Sequence, residues 1–203
     1  QSVFDNTREY LFKHALLREV TYASMLKRLR RVYHARAARW LEQITGRSQR
    51  TDEYAALIAA HFDEAAEPEI ALTWYWRAAK SAAARYASSE ALHCYTRALE
   101  LVPKDDLAAR YELLMGREAI YALKGARAVQ YQDIESLEIL VGAWEDGEQG
   151  ANRRAQVLLR QTRYLVATGD YKSATETAQR AIELARAAGS ISLEAECSLA
   201  CGV

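Results

Sequence analysis

From Thr51 onward, apolar side chains recur at three- and four-residue steps in stretches of a dozen or more residues, and only a few residues of turn separate one stretch from the next. That pattern leaves one class of solution. A 3.6-residue period puts such residues on one face of an α-helix. Short connections then oblige consecutive helices to lie antiparallel against each other. The same sequence excludes a sandwich or barrel, because 2 Pro and 9 Gly in 203 residues are too few for a turn every eight to twelve residues. Hydrophobic residues make up 50% of the chain and charged ones 27%, which fills a core and argues against disorder. The expected fold class is therefore all-α.

The stripes can be followed along the chain. Tyr54, Leu57, Ile58, Phe62 and Ala65 form one. Pro68 opens the next helix, where its missing N–H costs nothing, and Ala71, Trp74, Tyr75, Ala78, Ala82 and Tyr86 form its stripe. Ser88-Ser89-Glu90 offers a cap to a helix carrying Ala91, Leu92, Tyr95, Ala98, Leu99 and Val102, which Pro103 ends. Asp105-Asp106 favours a new start, and Leu107, Tyr111, Leu114 and Tyr121 lead to Gly125. Ile134, Leu137, Leu140, Val141 and Trp144 mark a helix expected to end at Gly147 or Gly150. A pair spanning 155–168 and 171–187 turns at Gly169-Asp170, and a last helix begins near Ile191. Upstream, Leu26, Leu29, Tyr33, Ala37, Trp40, Leu41 and Ile44 fall within an arc of about 120°, expected to face the following helices. Glu9 to Phe12 alternates polar and apolar, as a short strand or extended lead-in would.

Charge sums to zero but is uneven. Residues 1–50 carry 11 Lys+Arg against 4 Asp+Glu, residues 51–150 carry 9 against 18, and residues 151–203 carry 7 against 5. The step suggests a boundary near Gly46–Thr51, dividing a segment 1–48 from helical repeats over 49–203.

Within the helices one spacing repeats: a small residue, three positions, a bulky one, two positions, a small one. It occurs at Ala71, Tyr75 and Ala78, again at Ala91, Tyr95 and Ala98 with Pro103 five residues on, and again at Ala174, Ala178 and Ala181. Ser136, Leu140 and Ala143 make a weaker copy. Small residues let two helices approach, and the bulky one fills the gap between them. Ala91 to Pro103 resembles the second half of a tetratricopeptide repeat (TPR), with Tyr95 at the position of the repeat's Phe, though the repeat's Trp and Leu-Gly positions are not reproduced. Repeat steps near 40 residues resemble the degenerate TPRs of MalT-like regulators. Phe12, His14, Ala15, Leu16, Arg18, Glu19 and Tyr22, then His34, Ala38, Leu41 and Glu42, resemble another junction. There the winged-helix-like end of a STAND- or AAA-type signalling ATPase hands over to TPRs. Such modules occur in fusions with adenylate or guanylate cyclases and in LuxR-type regulators. The resemblance implies a TPR-like antiparallel helix-pair solenoid with an N-terminal helical lead-in. No G-x-x-x-x-G-K-[ST] is present, so nucleotide chemistry does not carry over.

Residue chemistry adds little to this. There is no G-x-G-x-x-G and no H-E-x-x-H, so no catalytic, cofactor-binding or metal-ligating residue is expected. Cys197 and Cys201 share a helix face without a nearby His, and three cysteines make no disulfide framework, which suits a reducing, cytoplasmic setting. His14, His34, His61 and His93 are expected in structural or surface roles. Asp63, Glu64, Glu67 and Glu69 read as a solvated turn. In the triplet Trp74, Tyr75 and Trp76, one ring cannot share the buried face, and Trp76 is a candidate interface residue. Arg28 and Arg31, outside the apolar arc of their helix, are candidate surface contacts. Their charges spread around the helix with no interleaved aromatics, so a nucleic-acid partner is not expected. No apolar run reaches a membrane-spanning length.

The function expected is recognition without catalysis. Partners would be a protein or peptide, another domain of the parent chain, or a small effector. Alternatives are the sensor region of a LuxR/MalT-type transcription regulator and a structural oligomerisation arm. Without an initiating Met, and with no following partner for the helix from Ile191, the chain reads as a cut inside a longer solenoid.

Overall fold

A computed structural model describes residues 12–47, 49–144 and 147–201; most of the short strand or extended lead-in expected at Glu9 to Phe12 lies outside the described residues, as does the Cys201 side chain. Every regular element among them is an α-helix. The chain divides into two compact units at Val102/Pro103. The first holds α1 (Ala15–Ser24), α2 (Lys27–Arg47), α3 (Thr51–Glu64), α4 (Pro68–Ala84) and α5 (Ser88–Leu101). The second holds α6 (Leu107–Lys124), α7 (Arg127–Gly142), α8 (Glu148–Thr168), α9 (Tyr171–Ala187) and α10 (Ile191–Cys201). In the first unit α2 to α5 each pack chiefly on their neighbours in sequence, and in the second α6 to α10 do the same, with α10 also touching α8. The charge step at Gly46–Thr51 falls between α2 and α3, which pack together in the first unit.

One turn recurs through both units. Gln49, Ala66, Tyr86, Gly125, Gly169 and Gly189 all have positive φ, between 55° and 85°. After each, the next residue's N–H donates to a carbonyl five positions back, at 2.9–3.0 Å. This left-handed close of a helix satisfies carbonyls that would otherwise be stranded, and the following helix starts at once.

After four of these six turns the buried positions also recur at fixed offsets. Five, nine and twelve residues after Ala66, Tyr86 and Gly169 come Ala71, Tyr75, Ala78; Ala91, Tyr95, Ala98; and Ala174, Ala178, Ala181, all of them buried. Counting likewise from Gly125 gives Gln130, Ile134 and Leu137, also buried. This corrects the expected copy in α7. Ser136 and Ala143 are exposed, and only Leu140 of that trio is buried. The repeat lies six residues upstream, with an amide where the others have a methyl. Pro103 is exposed just past α5.

Several local expectations shift. Pro68 takes the first position of α4, and Asp106 caps α6 by accepting from the Ala109 N–H at 3.0 Å. Ser88, however, is the first residue inside α5, whose cap Ala87 has no side chain to offer. α7 ends at Gly142, short of Gly147, and Gly150 is buried in the first turn of α8. The larger change is in α2. Its buried residues are Ala35, Ala38, Leu41 and Thr45, while Leu29, Tyr33 and Trp40 are exposed. The buried face is thus turned by about 120° from the apolar stripe. Small residues admit the α3 backbone closely, and Thr45 Oγ1 meets its own need by donating to the Leu41 carbonyl at 2.7 Å.

Tyr86 gives a test of the turn. Its φ is 59° and its side chain is 84% exposed, so strain is held there with little compensating contact. Tyr86→Gly is expected to raise stability by about 0.5–1 kcal/mol in urea denaturation, the relief of left-handed strain exceeding glycine's chain entropy. A loss would show that the ring makes contacts worth more than the strain.

Candidate functional site

Three side-chain constellations stand out, each inside one unit. The first joins α1, α2 and α3. The Tyr22 hydroxyl lies 2.9 Å from His34 Nε2, and His34 Nδ1 lies 2.8 Å from His61 Nδ1. One proton serves the His–His hydrogen bond, so one ring donates while the other accepts. Burial, and then the neighbouring His34, lower the His61 pKa from its ordinary value of 6.5, with Glu64 opposing. A histidine depressed in the folded state takes up protons more readily when unfolded. Stability should therefore be complete above about pH 6.5 and fall as the pH drops below it. Chemical denaturation at pH 7.5 and 5.5 is expected to show this loss in the native sequence and little of it in His61→Gln.

The second constellation adjoins the first. Lys27, Arg30 and Arg31 from α2, Tyr22 from α1, Asp63, Glu64 and Ala66 from the end of α3, and Arg97 from α5 line a recess of about 350 Å³. The Arg30 guanidinium stacks on the Tyr22 ring, 5.0 Å from its centroid. Asp63 is committed elsewhere, accepting from Arg97 at 2.6 Å and from the Tyr75 hydroxyl at 3.3 Å. Burial, with Asp63 beside it, pushes the Tyr75 phenol up to about 12. The acidic turn is therefore not merely solvated, since Glu67 also pairs with Arg39 at 3.0 Å.

The third is buried between α6, α7 and α8. Gln130 Nε2 donates to Glu118 Oε1 at 2.7 Å, and Arg160 donates to Glu118 Oε2 at 3.1 Å. Arg127 donates to Gln130 Oε1 at 2.6 Å, and Arg117 grips Asp133 with two hydrogen bonds of 2.9 and 2.5 Å. Each polar group has a partner, as burial requires. Sequence reasoning passed over this layer, because isolated charges on a helix read as surface.

The residues singled out in sequence fall as follows. Trp76 is half-buried with Lys80 over its ring at 4.7 Å, and its Nε1 is buried without an acceptor. Trp74 is also half-buried and donates to Glu42 at 2.9 Å, while Tyr75 is fully buried. Arg28 and Arg31 are exposed, and Arg31 alone of the two lines the recess. His14 and His93 are exposed. Cys94 and Cys197 are buried, and burial pushes the Cys94 thiol up to about 11, far from a reactive thiolate. Among the described residues no three His, Cys, Asp or Glu side chains are grouped to hold a metal, and no helix is long and apolar enough to cross a membrane.

Comparison with protein-family models, with curated proteins and with solved structures finds no match to this chain.

Proposed function

We propose that this chain is a non-catalytic, TPR-like binding segment of a multidomain signalling protein, receiving a protein, a peptide or another domain of its parent. The supporting observation is the recurrence of one left-handed turn, followed in four of its six occurrences by buried residues at fixed offsets, in helices that pack on their sequence neighbours. Repeats of that kind supply contact surface rather than an enclosed reaction chamber. The N-terminal lead-in fits the same reading. Among its described residues α1 buries none, and Leu16, Leu17, Val20, Leu26 and Leu29 are exposed together with Trp40. An apolar face of this extent suits a docked domain.

The coding sequence on either side of residues 1–203 tests the assignment. An ATPase module upstream and an output domain downstream are expected. Amide hydrogen exchange of the extended protein should then show protection across 15–40 that the 203-residue chain lacks. Unchanged exchange there, or an open reading frame confined to this chain, would overturn the reading.

A further inference from the structure

The recess beside α2 carries an unbalanced set of charges. Lys27, Arg30 and Arg31 stand three and four residues apart, so they share one face of α2. None of the three forms an ion pair with a described residue. Like charges at this spacing on one helix face destabilise the helix. Arg97, on the opposite wall, is already neutralised by Asp63 and Glu100. The Arg30 Nε is closed off from solvent, so only the rest of its guanidinium can face the recess.

One ligand chemistry relieves this crowding of charge. An oxyanion of phosphate type, seated in the recess, would neutralise Lys27, Arg30 and Arg31 together. We infer that the recess bounded by Tyr22, Lys27, Arg30, Arg31 and Arg97 is a binding site for a small phosphorylated anion. A volume of about 350 Å³ admits one or two phosphoryl groups. Glu64 and Asp63 form its acidic side, which selects against an extended nucleic-acid backbone carrying further phosphates past them. The inference goes beyond the proposed function and gives a chemical class to the small effector expected from the sequence. It is tested by direct binding to this chain, so it and the domain-docking reading can fail separately.

The probe is pyrophosphate, titrated calorimetrically into the 203-residue chain at low salt, with inorganic phosphate, sulfate and a short DNA duplex as parallel arms. Saturable one-site binding is expected for pyrophosphate, weaker for phosphate and sulfate, with a rise in thermal midpoint on binding. Arg30→Gln should weaken it about tenfold, as loss of a charge-assisted hydrogen bond does. Because Arg30 also packs on Tyr22, the double variant Lys27→Gln with Arg31→Gln, both exposed, provides an arm that leaves the fold intact and should weaken binding as much. Lys172→Gln on the exposed face of α9 makes the same charge change elsewhere and should bind as the native chain does. Absence of saturable binding up to about 5 mM pyrophosphate would overturn the inference. So would an equal loss in Lys172→Gln, or binding of duplex without binding of pyrophosphate.

Discussion

Glu118→Ala is expected to destabilise the second unit by about 3–5 kcal/mol. The carboxylate is 1% exposed and receives Gln130 and Arg160, so its removal strands one buried donor and one half-buried guanidinium together. Stability of a whole domain is typically about 5–15 kcal/mol, so the change takes a large share of it. Urea denaturation followed by far-UV circular dichroism measures the loss. Glu118→Gln keeps an acceptor for Gln130 and should cost less. Replacing the pair outright, Glu118→Leu with Gln130→Leu, should recover part of the deficit, because no buried amide is then left without an acceptor and the half-buried Arg127 and Arg160 can turn to solvent. If Glu118→Ala proved as mild as a surface substitution, the layer would be a bystander.

In the first unit the largest loss is expected at Phe62. Its ring is 1% exposed, the largest fully buried side chain described, and its carbonyl accepts the Glu67 N–H at 3.0 Å in the turn at Ala66. Phe62→Ala removes a ring from close packing and leaves a cavity, at about 3–5 kcal/mol. Phe62→Leu, which keeps most of the volume, should cost distinctly less. Leu57 lies in the same sequence stripe but is half-exposed, and Leu57→Ala should cost well under half as much as Phe62→Ala. Equal losses at 57 and 62 in the same denaturation series would mean that the α3 face is assigned wrongly.

Phe62 and Leu57 also show how far the sequence could be read. Helix positions were legible because period and punctuation agreed: Pro68, Asp106, Gly125 and Gly169 stand at the helix ends where their backbone chemistry places them. The close-packing registers of α4, α5 and α9 were legible because each puts Ala on both sides of the filler. In α7 the same register went unseen, since Gln130 stands where Ala is expected and its burial depends on Glu118, twelve residues away. No local pattern encodes such a pairing. The face of α2 was misread for a related reason. Its largest apolar residues dominate any periodicity, whereas close approach to α3 selects Ala35 and Ala38. The His34–His61 contact and the cationic recess each need residues from separate helices, so spacing along the chain could not reveal them. Lys27, Arg30 and Arg31 were visible as charge, but not as an uncompensated set.

The left-handed turn has a consequence for how such a chain can change length. The turns at Ala66, Tyr86, Gly125 and Gly169 restart the helical phase, because the buried positions that follow are counted from the positive-φ residue and not from the previous helix. An extra residue ahead of a turn, at the exposed Leu123–Lys124 end of α6 before Gly125, alters spacing and leaves the next phase to be set afresh. The same insertion between Gly169 and Ala174 would rotate every later residue of α9 by about 100°, carrying Ala178 and Ala181 off the buried face. Length variation should therefore collect on one side of each turn. The helices behave as separately indexed parts joined by a common fastener, so one repeat can lengthen without its neighbours having to be redesigned.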